Sequence, residues 1–166
     1  AEVLISLIKS GVSPDDGVVR RGVEWLLAMQ SEGGGWGAFD VDNTSRLVGQ
    51  FPVCDFGEVI DPPTEDVTAH ILEALVECGV PPGHPAVRAG LLYLRRTQRD
   101  DGSWWGRWGV NHIYGTGAVL PALAACGVDM REPWVQRAVE WLAGCQNEDG
   151  GWGEDIESYR DPALAG

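Results

Sequence analysis

Residues 135–152 read VQRAVEWLAGCQNEDGGW, and two earlier stretches follow the same pattern: RRGVEWLLAMQSEGGGW at 20–36 and VRAGLLYLRRTQRDDGSW at 87–104. In each, an aromatic–Leu pair (Trp25-Leu26, Tyr93-Leu94, Trp141-Leu142) precedes a Gln. A Trp follows that Gln six residues later: Gln30/Trp36, Gln98/Trp104 and Gln146/Trp152. The first half of each stretch carries apolar residues at helical spacing, such as Val23, Leu26 and Leu27, or Val139, Leu142 and Cys145. The glycines that follow stop the helix. A Gln amide at a helix end can hydrogen-bond orphan backbone groups of its own helix or the next. The indole can stack on that amide, and its N–H needs a partner. These pairs read first as staples between adjacent helices.

Working outward, residues 1–10 read as the end of a helix. Residues 65–79 form an amphipathic helix with Thr64 at its N-cap and Gly79 as its stop. Another apolar helix covers 116–127, interrupted or kinked at Pro121. A helix over 132–146 has Pro133 at an early position. No stretch alternates with period two, so the fold class is all-α: helix pairs joined by Gly/Trp-rich loops. Segment 37–64 reads as an irregular insertion.

Composition narrows the function. The chain has 166 residues, 23 Gly, 8 Trp and a formal net charge of -13. A nucleic-acid partner is excluded as an expectation, because phosphate contacts need clustered Lys and Arg, and Lys9 is the sole lysine. No apolar run reaches the roughly 18 residues of a membrane-spanning helix, and the start shows no signal-peptide pattern. Cys54, Cys78, Cys126 and Cys145 are too dispersed for a zinc motif.

Three further stretches are more specific: GWGAFDVDNTSRLVGQFPVCDFGEVIDPPTEDVTAH, GSWWGRWGVNHIYGTGAV and NEDGGWGED. With the three Gln/Trp units they make the chain resemble squalene–hopene cyclases, bacterial triterpene cyclases whose "QW" repeats have this form. The resemblance covers essentially residues 1–166. It implies an α/α toroid of two concentric helix layers, of which 1–166 is a partial catalytic domain with its QW units ending near 36, 104 and 152. It implies an aspartic acid from an Asp-x-Asp-Asp motif that protonates an alkene. That motif is absent here; Asp40-Val41-Asp42-Asn43 is not it, and the expected place is just ahead of Ala1. The isolated chain is therefore expected to be inactive.

The resemblance also assigns residues. Asp66 and His70 lie four apart on one predicted helix, so they share a face. The pattern alone describes an ordinary helix pair. By resemblance, His70 hydrogen-bonds the upstream acid and Asp66 supports it. Trp108, Tyr114 and Phe39 match positions lining the cavity, where aromatic faces stabilise a passing carbocation without capturing it. Cys54 and Phe56 line the channel or cavity, or simply pack. Phe39 stands where relatives can carry Tyr, and Val53 where they can carry Phe, which puts the product pattern in doubt. Asp61-Pro62-Pro63 reads as a rigid turn. His84 reads as a solvated loop residue, and His112 as packing. The acidic run Glu148, Asp149, Glu154, Asp155, Glu157 and Asp161 reads as a solvated or helix-capping loop.

The implied substrate is squalene or a similar polyprenoid, with no metal and no organic cofactor. The resemblance further implies peripheral attachment to the cytoplasmic face of the bacterial membrane, and it leaves room for a homodimer. Competing readings are a class II diterpene cyclase, a prenyltransferase-like toroid, and a non-enzymatic Trp/Gly repeat that binds carbohydrate or protein. Tryptophans on a flat exposed platform favour the last; tryptophans buried between helices oppose it.

Overall fold

A computed structural model describes residues 1–42 and 60–166. The described residues form six α-helices: α1 Glu2–Lys9, α2 Gly17–Ala28, α3 Glu65–Glu77, α4 Pro85–Thr97, α5 His112–Ala125 and α6 Pro133–Gly144. Two short 3-10 turns follow, Ile156–Tyr159 and Pro162–Leu164. No strand is present among the described residues; a single bridge joins Trp36 to Thr64.

The helices form two layers. Helices α1, α3 and α5 lie side by side, and α2, α4 and α6 back onto them from outside. Buried side chains sit on opposite sides of α3, with Asp66, Ala69 and Leu72 among them, because α3 has neighbours in both layers. The core runs continuously from Leu4 and Ile5 through Leu72, Leu75 and Leu94 to Leu123 and Val135. This is the all-α arrangement of helix pairs that the repeats predicted, in the layered form that the resemblance implies.

Each inner helix ends in the same turn. Gly11, Gly79 and Gly127 adopt positive φ values of 92, 89 and 74°. The next residue's N–H then reaches back to a carbonyl of the last turn: Val12 to Leu7, Val80 to Leu75, Val128 to Leu123, at 3.0, 2.9 and 3.1 Å. This glycine-dependent stop satisfies carbonyls that the helix end would otherwise orphan. Outer helices then start on capping signals: Asp16 accepts from Val18 N, and Pro85 and Pro133 open α4 and α6.

The Gln/Trp units act as staples. Gln30 Nε2 donates to Gly34 O at 2.8 Å and to Ala86 O, in the first turn of α4, at 2.9 Å. Gln98 Nε2 repeats this to Gly102 O at 2.9 Å and to Trp134 O, in the first turn of α6, at 2.7 Å. The indoles of Trp36 and Trp104 are fully buried, and each donates to the carbonyl ten residues back, Leu26 O and Leu94 O, at 2.7 Å. Each of these two tryptophans also donates its backbone N–H to a threonine of the next inner helix, Thr68 or Thr116, at 3.0 Å. Truncating so well-buried an indole costs about 3–5 kcal/mol. Trp152 keeps the bond to Leu142 O at 2.8 Å but is 48% exposed.

Some details differ from the sequence expectation. Helix α5 starts at His112 and passes through Pro121 without interruption. Pro121 is exposed there, and the residue four before it is Gly117, whose Cβ position faces open space. His84 is not merely solvated: it occupies the N-cap of α4, and its Nδ1 accepts from Ala86 N at 3.2 Å. Thr64 sits at the N-cap of α3, but its hydroxyl makes no capping bond. Glu154, in contrast, follows the helix-capping alternative expected for the acidic run: it caps α5, its Oε2 accepting from Asn111 N and Ile113 N at 3.1 and 2.8 Å. Burial opposes the charge on Glu154, but these amide donors outweigh it and hold the carboxyl below the usual range.

Candidate active-site pocket

A cavity of about 420 Å³ opens where α1, α2, α3 and α5 meet the loops that follow Trp36 and Trp104. Trp25, Phe39, His70, Ile71, Trp108 and Tyr114 line it, with Glu2 and Val3 from the first turn of α1. Four of the residues singled out from sequence, Phe39, His70, Trp108 and Tyr114, thus converge on one mostly apolar space. Phe39 and Trp108 meet edge to face at 5.6 Å. Such a wall presents π-electron density and no strong nucleophile. Cys54, Phe56 and Val53 lie outside the described residues.

Two buried carboxylates hold the wall. Asp66 is fully buried, and its Oδ2 accepts the backbone N–H of Arg107 at 3.0 Å and of Trp108 at 2.9 Å. Asp61 Oδ2 accepts from the backbone of Ala38 and, at 3.0 Å, of Phe39. Asp61 Oδ1 pairs with Arg107 Nε at 3.4 Å, with both side chains over nine-tenths buried. The Arg107 guanidinium lies 5.7 Å from the Trp108 ring centre. The two loops that carry Phe39 and Trp108 are therefore fixed to the start of α3 by charge-assisted bonds. Asp61 was legible as a turn residue only; its partner Arg107 lies far along the chain.

Asp66 does not pair with His70. No hydrogen bond joins them, because Asp66 turns inward to the 107–108 backbone while His70 turns to the cavity. The imidazole instead has Glu2 Oε1 at 3.1 Å from Nδ1. On the other side, Tyr114 Oη lies 3.5 Å from Nε2, at the outer limit of a hydrogen bond. Burial, reinforced by the charges of Asp66 and Glu2, pushes the Tyr114 phenol up from its ordinary value, so it remains a proton donor at neutral pH. Among the described residues, no group of three or more His, Cys, Asp or Glu is arranged to hold a metal.

Sequence reasoning missed two residues of this pocket. In the sequence Trp25 stands out only as half of an aromatic–Leu pair, yet it is 57% exposed and lines the cavity beside Leu26 and Met29. Glu2 lay too far along the chain from His70 for any spacing to pair them. A second cleft, about 580 Å³, lies against the loop from Trp105 to Val110 and is closed by Ile156 and Tyr159. It contains none of Glu2, His70 or Tyr114. Trp108 borders both cavities. Burial of Trp36 and Trp104 between helices opposes a flat aromatic binding platform. No helix among the described residues is long and apolar enough to cross a membrane.

Comparison with known proteins agrees with this architecture. The whole chain, residues 1–166, matches the family model of the squalene-hopene cyclase C-terminal domain. It is 63% identical over 146 residues to a squalene–hopene cyclase of Alicyclobacillus acidocaldarius, covering 88% of this chain and 23% of that protein. Identity to a squalene-hopene cyclase of Schizosaccharomyces japonicus is 43% over 113 residues, covering 68% and 17%. A dammaradiene synthase of Dryopteris crassirhizoma is 39% identical over 112 residues, covering 61% and 16%. The chain thus spans no more than 23% of the length of these curated relatives.

Proposed function

The chain belongs to the squalene-hopene cyclase C-terminal domain family, and from that premise we propose that the full-length protein is a triterpene cyclase. It takes squalene or a similar polyprenoid, protonates a terminal alkene, and guides the carbocation through successive ring closures to a pentacyclic product. Residues 1–166 supply part of its toroidal catalytic domain. The observation that carries this reading is the convergence of His70, Phe39, Trp108 and Tyr114 on one pocket.

Each group has a chemical task. Proton transfer to an alkene needs an acid strengthened by a donor to its conjugate base. The acid belongs to an Asp-x-Asp-Asp motif ahead of Ala1, and His70 is that donor. Asp66 supports it indirectly, by fixing the 107–108 backbone that aims Trp108. The faces of Phe39, Trp108 and Trp25 stabilise positive charge as it develops, while an apolar wall withholds water from it. Cys54 and Phe56 belong to the same proposal as channel or cavity residues. The 166-residue chain lacks the acid and is inactive alone. The protein works peripherally at the cytoplasmic face of the membrane, from which a lipid-soluble substrate enters, and it forms a homodimer.

The test is direct. Full-length protein incubated with squalene in detergent should yield a pentacyclic hydrocarbon by gas chromatography–mass spectrometry, and residues 1–166 alone should yield none. Absence of any cyclised product from the full-length protein overturns the proposal. Product from the isolated chain overturns the upstream location of the acid.

A further inference from the structure

The stretch 105–111 carries Trp108 but belongs to no helix or strand. Its backbone N–H and C=O groups must therefore find partners outside a helix ladder. Four of them, on four successive residues, are met by two side chains. From α3, Asp66 Oδ2 accepts the N–H groups of Arg107 and Trp108. From the first 3-10 turn, Tyr159 Oη lies 3.0 Å from Gly106 O and 3.1 Å from Gly109 O, and its one proton is shared between them. Glycine at 106 and 109 makes room for this. A Cβ at either position would lie 2.6 or 2.5 Å from a ring carbon of Tyr114, so bare backbone packs on that ring while its carbonyls turn to Tyr159. Tyr159 is itself held. Its ring meets Trp105 edge to face at 6.1 Å. Its neighbour Ser158 is buried and accepts from Asn111 Nδ2 at 3.3 Å. Burial, with the charges of Asp66 and Glu154, pushes the Tyr159 phenol up from its ordinary value, so it keeps the proton it donates.

Resting on the cyclase reading above, we propose that Tyr159 is a positioning residue for Trp108: its hydroxyl pins the carbonyls on either side of residue 108 and so sets where the indole meets the developing cation. Attraction between a cation and a ring face depends on their distance and orientation. A wall fixed before the charge appears stabilises it without a cost of rearrangement. Tyr159 lines the second cleft and not the His70 pocket, so it acts through the loop and not on the cation. Removing the hydroxyl leaves the Asp66 bonds to residues 107 and 108 in place and releases residues 106 and 109. The loop is then held from one side, and the indole no longer has a set distance from the pocket.

Two readouts on the full-length protein test this. In turnover of squalene, Tyr159→Phe keeps the ring and loses only the hydroxyl. It should lower kcat about fivefold with KM within about twofold, and raise the share of partly cyclised hydrocarbon in the product. Replacing Tyr159 with para-aminophenylalanine, whose amine can donate to both carbonyls, should restore kcat to within about twofold of the unaltered protein. Val135→Ala, a core truncation in α6, lowers the melting temperature away from this loop and should leave the product pattern as it was. In hydrogen–deuterium exchange read by mass spectrometry, the amides of residues 105–110 should exchange about tenfold faster in Tyr159→Phe, with α4 unchanged. Unchanged kcat in Tyr159→Phe, no rescue by the amine, or the same product shift in Val135→Ala overturns the proposal. If the unaltered protein fails to cyclise squalene, the cyclase reading falls, and the exchange arm still decides whether Tyr159 holds the loop: unchanged exchange there overturns that anchoring.

Discussion

Replacing Asp61 with Asn should destabilise the protein by about 3–5 kcal/mol, the usual cost of breaking a buried ion pair at one of its members. The side chains of Asp61 and Arg107 are only 9% and 6% exposed, and their charged atoms lie 3.4 Å apart. Coulomb's law at an effective dielectric of about 20 gives roughly 5 kcal/mol at that separation. Asn is the informative replacement because its oxygen can still accept from Ala38 and Phe39, as Asp61 Oδ2 does. The loss is then confined to the charge, with an amide N–H set against a guanidinium. Urea unfolding followed by tryptophan fluorescence gives the number through the midpoint and slope. A double-mutant cycle with Arg107→Met isolates the pair. Coupling of about 2 kcal/mol or more is expected, since removing both charges is far cheaper than removing one. A D61N loss below about 1 kcal/mol, or coupling near zero, would refute the claim that this pair anchors the aromatic loops.

Gln98→Leu removes the amide that bonds Gly102 O and Trp134 O. It should cost about 1–3 kcal/mol, because two acceptors lose their partner, measured by the same unfolding curve. Glu65→Gln should act through pH. Burial raises the Glu65 carboxyl from 4.5 to about 7, so the folded state holds a proton that the unfolded chain has already released. Its stabilising contribution is complete below pH 4.5 and disappears as pH rises through about 7. The Gln variant should therefore gain up to about 3 kcal/mol over the unaltered protein above pH 7 and nothing below pH 4.5; parallel stability curves across that range would contradict the assignment. Trp25→Ala removes a π face from the pocket wall without emptying the core, since that side chain is 57% exposed. Melting temperature should barely change while cyclisation by the full-length protein slows about tenfold or more; unaltered product yield would return Trp25 to a packing role.

The fold was written in repeats, and repeats are legible because one physical problem is solved several times. A Gln that bonds the next outer helix, an indole that caps its own, and a glycine that ends the inner helix all recur at set offsets. Their meaning follows from one copy. Pro121 shows that a proline within an apolar run does not by itself end a helix: α5 runs from His112 to Ala125 through it, with residue 121 exposed. The pocket was half legible. Phe39, His70, Trp108 and Tyr114 came forward through family resemblance, whereas the groups that hold them did not. Asp61 and Arg107, or Glu2 and His70, meet only because layered helices bring distant segments together. Asp66 shows the reverse error: helix spacing put it beside His70, but its carboxylate accepts the backbone N–H groups of Arg107 and Trp108.

Trp108 is a party wall, with one cavity on the His70 side and another toward Ile156 and Tyr159. Shortening residue 108 opens space on both sides at once instead of enlarging one cavity. Selection or engineering that works at this position therefore reshapes two volumes at once. Independent adjustment has to come from the far walls: Phe39 or Trp25 for one chamber, Ile156 for the other.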